Sequence, residues 1–326
     1  MYADAWATCA RLLAESRPAA PAAGRGTGAE CAEAAQGEGE SEEEDEEDFV
    51  TAAQLLAKAG PRAPSGLGNA ADALLGGGLR RGEVVEVFGA AGVGKTQLAL
   101  SVAAQTAMAG SRVVYATTKD SRESLARRLR DIVAARSGAG ASSGALPAGA
   151  AAAAEEALRR VSLVSLADFS DLAKLLVWVS AKREDAGETP LLVIDLVTAV
   201  LAPFVSASSP GHRWRLAWAT HSLCRLSNDT GFRVLLVSHT VGAFSQNRSG
   251  CQLALGPAWA AATVVRLELV LAGGGGGGTG PQQRLALFLR KGRRGREDSC
   301  AALLLDCAGV HADPRPLDVA GVLAAV

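Results

Sequence analysis

Hydrophobic and polar positions alternate in two rhythms along the chain. From Gly82 onward, short continuous apolar runs (EVVEVFG, RVVYATT, RRVSLVSL, LLVIDLV) are separated by longer stretches whose apolar residues recur every three or four positions. The short runs read as buried strands. KTQLALSVAAQTAMAG, SRESLARRLRDIVAA, DFSDLAKLLVWVSAKRE and WRLAWATHSLCRLSND read as helices. Strands buried on both faces and joined by helices predict an α/β fold with a largely parallel sheet and helices on both faces. Then FRVLLVSH, VVRLELVLA, QRLALFLR and CAALLLD follow one another as strands with no helix between them, which predicts antiparallel strands at the C-terminal side.

The N-terminal sequence has neither rhythm. Residues 1–47 hold one short amphipathic segment, then Ala/Gly/Pro-rich sequence and the acidic run EGESEEEDEED, and are expected to be mostly disordered. Residues 48–64 read as a linker containing the short helix TAAQLLAKA, ended by Pro61 and Pro64, and the compact core as 65–326. Flexible insertions are expected at about 137–155 and 272–281, the second around six consecutive glycines.

Composition narrows the classes. With 326 residues, 48% of them hydrophobic, the chain can bury one large domain. The net charge of −1 hides the acidic run and a basic run, RKGRRGR, at 290–296. Six cysteines lie at 9, 31, 224, 251, 300 and 307 with no Cys-x-x-Cys pair, which argues against zinc and a disulfide framework. Charges break the apolar stretches before membrane-span length and the N-terminus lacks a signal-peptide pattern, so no membrane partner is expected.

The chemistry concentrates after the first strand. Gly89, Ala90, Ala91, Gly92, Val93, Gly94, Lys95 and Thr96 match the P-loop pattern, between a strand and a helix as that motif requires, and Gln97 follows. Backbone amides of such a loop, aided by the helix N-terminus, face phosphate oxygens. Lys95 is placed to reach the β- and γ-phosphates and Thr96 to hold Mg²⁺, which makes ATP and Mg²⁺ the expected cofactors. LLVID delivers Asp195 to a strand end as the second metal-side residue.

The stretch SGLGNAADALLGGGLRRGEVVEVFGAAGVGKTQLAL resembles the core entry of RecA-type recombinases, in their eukaryotic and archaeal branch. VVYATTKDSRESLARRL, LLVIDLVTAVLAPF, TGFRVLLVSH and LLLDCAGV extend the resemblance over roughly 49–310, and Ala254 to Trp259, leading to Arg266, is most similar to the D-type paralog. The resemblance implies a RecA-like P-loop core, sensor residues at Ser238, His239 and Thr240, and a nuclear role in homologous recombination and double-strand-break repair. ATP would serve mainly as an assembly ligand among recombinase paralogs on single-stranded or branched DNA.

Three departures bear on turnover. Where the family strand ends in Asp-Thr-Glu, the glutamate orienting the attacking water, this chain has Thr117, Thr118 and Lys119; Asp120, one position late, is the possible substitute. Leu196 replaces the family serine after Asp195, and His239-Thr240 replaces Asn-Gln. Weak DNA-dependent ATPase activity is the expectation. A self-sufficient motor or strand-exchange ATPase would need the missing glutamate, and a KaiC-like or RadA-like ATPase would bring a second core or a zinc motif.

Cations for DNA are Arg213 and Arg248 in the two loops that line the filament axis in the family, and Arg290, Lys291, Arg293 and Arg294 in the basic run. That run also reads as a solvated hairpin tip or an import signal. Phe49 and Ala52 form the Phe-x-x-Ala pattern with which this branch docks one protomer on the next; the same pair also suits a short helix packing on its own domain.

Overall fold

In a computed structural model, the residues described are 51, 53, 62–139, 148–181, 190–205, 210–241, 252–272, 282–292 and 299–325. The chain divides into two units, Met1–Ala59 and Gly60–Val326. Of the first, Thr51 and Ala53 are described, both exposed. Phe49 and Ala52 lie outside the described residues.

The second unit is built on a sheet. Its strands are β1 (Val84–Gly89), β2 (Val113–Thr117), β3 (Val161–Ser165), β4 (Leu191–Asp195), β5 (Arg233–Val241), β6 (Gln252–Leu253), β7 (Val265–Leu271), β8 (Gln283–Lys291), β9 (Cys300–Asp306) and β10 (Gly309–Ala312). Their order is β10-β9-β8-β7-β1-β5-β4-β2-β3, with β6 on β5. From β7 to β3 all neighbours are parallel; β7-β8-β9-β10 pair antiparallel. This is a RecA-like α/β fold with a mostly parallel sheet and antiparallel C-terminal strands.

The helices are α1 (Asn69–Leu74), α2 (Lys95–Met108), α3 (Arg122–Ala134), α4 (Ala148–Arg159), α5 (Phe169–Ser180), α6 (Val197–Leu201), α7 (Pro210–Thr230), α8 (Gly256–Ala262) and α9 (Val319–Ala325). Alternation along each strand sorts them onto two faces. Val85, Val87, Tyr115, Val193, Leu235 and Val237 meet α1 to α4 on one side. Val84, Val114, Leu192, Ile194 and Leu236 meet α5 to α8 on the other. Ala99, Ala103, Ala104 and Ala107 are fully buried, so small side chains let α2 lie close against the sheet centre. Local chemistry starts the helices: the Ser121 hydroxyl accepts from the Ser124 amide at α3, and the Asp168 carboxylate from the Asp171 amide at α5.

The structure corrects the sequence reading in several places. A helix, α8, separates β5 from β7, and β7 pairs parallel with β1, so the antiparallel part begins only at β8. The stretch expected as a flexible insertion ends in α4, whose alanine-rich sequence has high helix propensity. Residues 137–139 of the first expected insertion lie in a π-helical turn after α3, Ala272 of the second is described and buried, and residues 140–147 and 273–281 lie outside the described residues. Arg62 to Pro64, assigned to the linker, already join the core: Ala63 and Leu79 exchange two backbone hydrogen bonds of 2.8 Å.

Candidate functional site: a phosphate cradle at the sheet's C-terminal edge

β1 delivers Gly89 to the edge of the sheet, where the chain turns through Ala90 to Gly94 into α2. A side chain on Gly89 would run into the Leu269 carbonyl oxygen of the neighbouring strand. Gly94 sits at the helix start with φ 96°, a left-handed conformation that glycine adopts without steric cost. Ala90, Ala91 and Gly92 are exposed at the rim, while Val93 is buried and anchors the loop.

Lys95 is 4% exposed, and its Nζ donates to the carbonyls of Gly89 (2.9 Å) and Ala90 (2.6 Å). Burial lowers its pKa to about 8; the negative charge of Asp195 works against that shift and the positive charge of Lys119 adds to it. The ammonium is therefore held in the cradle by weak neutral acceptors, ready to exchange them for anionic oxygens.

Asp195 ends β4, 3% exposed. The Tyr115 hydroxyl donates to its Oδ2 at 2.8 Å, and the Thr96 hydroxyl lies near enough to help hold its pKa down. Burial raises the Asp195 pKa, opposed by the Tyr115 and Thr96 hydroxyls and by Lys95, and reinforced by Asp120. A buried carboxylate paired with the first-turn hydroxyl of α2 is an oxygen donor set suited to a hard cation such as Mg²⁺ that keeps several waters. With the cradle beside it, the residues present fit Mg²⁺ and a polyphosphate together.

Tyr115 was not singled out by the sequence. The available signal was the period of two: Tyr115 lies two residues before Thr117, which pairs with Asp195, so all three share a face. Burial and the Asp195 charge push the Tyr115 hydroxyl well above its ordinary pKa, and it stays a donor.

The turn after β2 is pinned beside this carboxylate. The Thr117 hydroxyl accepts from the amides of Lys119 (3.3 Å) and Asp120 (3.2 Å). The Thr118 amide donates to the Asp195 carbonyl at 2.9 Å, and the Leu196 amide donates to the Thr118 hydroxyl at 3.1 Å. Lys119 is exposed and Asp120 half-buried.

The three sensor residues part company. His239 pairs with Gly89 and shares its face; its amide donates to the Thr198 hydroxyl at 3.3 Å. Desolvation, then Lys95 and Lys119, lower its pKa, and its buried Nδ1 has no hydrogen-bond partner among the described residues. Thr240 pairs with Leu253 of β6. Ser238 points to the opposite face, where its hydroxyl donates to Glu86 at 2.6 Å. Strand alternation takes it away from the cradle, which corrects its assignment beside the nucleotide.

Other candidates are engaged elsewhere. Gln97 accepts from Arg128 Nε at 2.7 Å, and Arg128 also donates to the carbonyls of Asp306 and Cys307, so this side chain ties α2 and α3 to the β9–β10 turn instead of lining the cradle. Arg290 pairs with Glu268 at 2.7 Å and lies over the Phe288 ring. Lys291 donates to the carbonyls of Ala260, Ala261 and Thr263, capping α8. Both cations thus have internal partners. Arg213 lies in α7 with its side chain outside the described residues; Arg248, Arg293 and Arg294 also lie outside them.

The family described as an AAA domain matches residues 68–241, just over half of the chain, and the chain belongs to that family. It is 28% identical over 204 residues to the mouse DNA repair protein RAD51 homolog 4, covering 61% of this chain and 57% of that protein. It is 48% identical over 56 residues to the DNA repair and recombination protein RadB of Halobacterium salinarum, covering 17% of this chain and 23% of that protein. Less than two thirds of either relative's length is thus spanned. The crystal structure of the RadB recombinase superposes with a TM-score of 0.56 at 20% identity, covering 75% of this chain and 97% of that one, a likeness of fold. Among the described residues no helix is long and apolar enough to cross a membrane.

Proposed function

We propose that the chain is an ATP-binding recombinase paralog, most similar to the D-type paralog. It supports homologous recombination and double-strand-break repair in the nucleus by assembling with other recombinase paralogs on single-stranded or branched DNA. Mg²⁺-ATP is held by the 89–96 loop, Lys95, Thr96 and Asp195, and acts as an assembly ligand. The observation that carries the reading is the turn after β2: the cradle, cation and metal-side carboxylate lie together, while Lys119, a cation, stands two residues past the strand end, where a water-orienting carboxylate would be needed. Two relatives whose names state DNA repair support the cellular role. DNA contact rests on Arg213, Arg248, Arg293 and Arg294, with Arg290 and Lys291 contributing less because internal acceptors hold them. Phe49 and Ala52 dock on the neighbouring paralog's core. Co-purification with candidate paralogs, with and without ATP, tests the reading: ATP-dependent capture is expected, and capture indifferent to ATP and to Lys95→Ala would overturn it. A Phe49→Glu pull-down should lose one partner while ATP binding persists.

A second reading, a DNA-dependent motor, draws on Asp120, whose charge lies near enough to Asp195 to raise its pKa. It requires brisk phosphate release that Asp120→Asn abolishes.

A further inference from the structure

We propose that Lys119 is a second phosphate-binding cation of this site, which grips the terminal phosphate of a nucleoside triphosphate and thereby selects it over the diphosphate. The inference rests on the nucleotide reading of the cradle above and adds a residue and a selectivity to it. The geometry begins with the turn at the end of β2. Four hydrogen bonds fix it: two from the amides of Lys119 and Asp120 to the Thr117 hydroxyl, and two exchanged between Thr118 and the Asp195–Leu196 segment. The backbone of Lys119 is therefore held in place beside Asp195, whose own carboxylate lies near Thr96 at the start of α2.

From that fixed base the side chain is exposed at the C-terminal edge of the sheet, where α/β folds bind ligands. Its charge lies close enough to be felt at Lys95 and His239 across the site. Lys95 and His239 flank Gly89, one through hydrogen bonds to the loop and the other through strand pairing. Lys95 and His239 thus stand at Gly89, and the turn that carries Lys119 is tied to Asp195 at the same edge of the sheet. Loop amides and the helix N-terminus cover the inner phosphates of a bound nucleotide, and Lys95 bridges to the outermost one. A second ammonium beyond Lys95, on the strand-edge side, meets the charge that a triphosphate has and a diphosphate lacks. Two like charges held close without a bound anion repel; an anion between them removes that penalty, so the pair favours the more highly charged ligand.

The test is isothermal titration of Mg-ATP, Mg-ATPγS and ADP into the full chain as wild type, Lys119→Ala, Lys119→Arg and Lys95→Ala, with thermal unfolding as a fold control. Lys119→Ala is expected to weaken both triphosphates by about tenfold and ADP by no more than about twofold, at unchanged unfolding temperature, and Lys119→Arg to restore most of the difference. An unchanged ATP-to-ADP ratio in Lys119→Ala, while Lys95→Ala still weakens binding about tenfold or more, would overturn this inference and leave the cradle intact. If Lys95→Ala binds as wild type does, the cradle reading itself fails, and Lys119 with it.

Discussion

Two buried polar clusters occupy opposite faces of the same strands, and they are built for different ends. Behind the sheet, Glu86 on β1 accepts from Ser238 (2.6 Å), Trp259 (3.0 Å) and Arg266 (2.7 Å), and the Arg266 guanidinium lies over the Phe88 ring. In front, among the described residues, Lys95 donates to backbone carbonyls alone, and the Asp195 carboxylate accepts from the neutral Tyr115 hydroxyl, with Thr96 nearby. The rear cluster matches a carboxylate with a cation and two further donors. The front one holds its cation and its carboxylate each at a desolvation penalty that a bound phosphate and metal ion would relieve. The first locks β1, β5, β7 and α8 together. The second keeps its strongest interactions for ligands.

Breaking the rear cluster should have the largest effect on stability. Glu86→Ala strands the Arg266 charge in the core and is expected to cost about 3–5 kcal/mol in denaturant unfolding. A double Glu86→Met, Arg266→Met variant should recover much of that loss, because the orphaned charge goes with its partner.

In front, Lys95→Ala is expected to lose about 1.5–3 kcal/mol of Mg-ATP binding, roughly tenfold to a hundredfold or more, with little loss of fold stability. Its titration gives a sharper test. The folded pKa of about 8 lies below the ordinary lysine value of 10.5, so between these values the unfolded chain binds more protons than the folded one. Stability of the nucleotide-free protein should therefore rise with pH from about 8 to 10.5, and fall as pH drops through about 8. Lys95→Met should flatten that slope, as read from chemical denaturation at several pH values.

A smaller effect is expected at Tyr115→Phe, which deletes one hydrogen bond to the buried Asp195 carboxylate and costs about 1 kcal/mol of stability. The Asp195 pKa should rise further in that variant, weakening Mg²⁺-dependent nucleotide binding most at low pH. The smallest effect concerns DNA. Lys291→Met should leave the salt dependence of DNA binding almost unchanged, because its ammonium already caps α8; a slope reduced by about one would show that the cap opens on DNA.

The front of the molecule was largely legible in the sequence and the rear was not. Gly89 to Thr96 and Asp195 carry a pattern whose chemistry is local: a strand, a glycine turn, a helix, and a carboxylate at a strand end. Glu86 is one letter inside an apolar strand, and its partners lie 152 to 180 residues away, so nothing in its neighbourhood announces a buried network. Ser238 shows the same limit from the other side. Its place in a motif pointed to the nucleotide, and the twofold alternation of β5 turned it to Glu86. Arg290 and Lys291 read as free cations because charge is visible in sequence, whereas the acceptors that hold them, Glu268 and the end of α8, come from other parts of the fold.

The central claim is that this site grips ATP and turns it over slowly. Steady-state phosphate release from saturating Mg-ATP, with single-stranded DNA present, tests it most directly in wild type beside Asp120→Asn. Tight binding is expected, with release far below the ~1–10³ s⁻¹ of ordinary enzymes and no further loss in Asp120→Asn. Release within that range, abolished by Asp120→Asn, would contradict it and make Asp120 the water-orienting carboxylate.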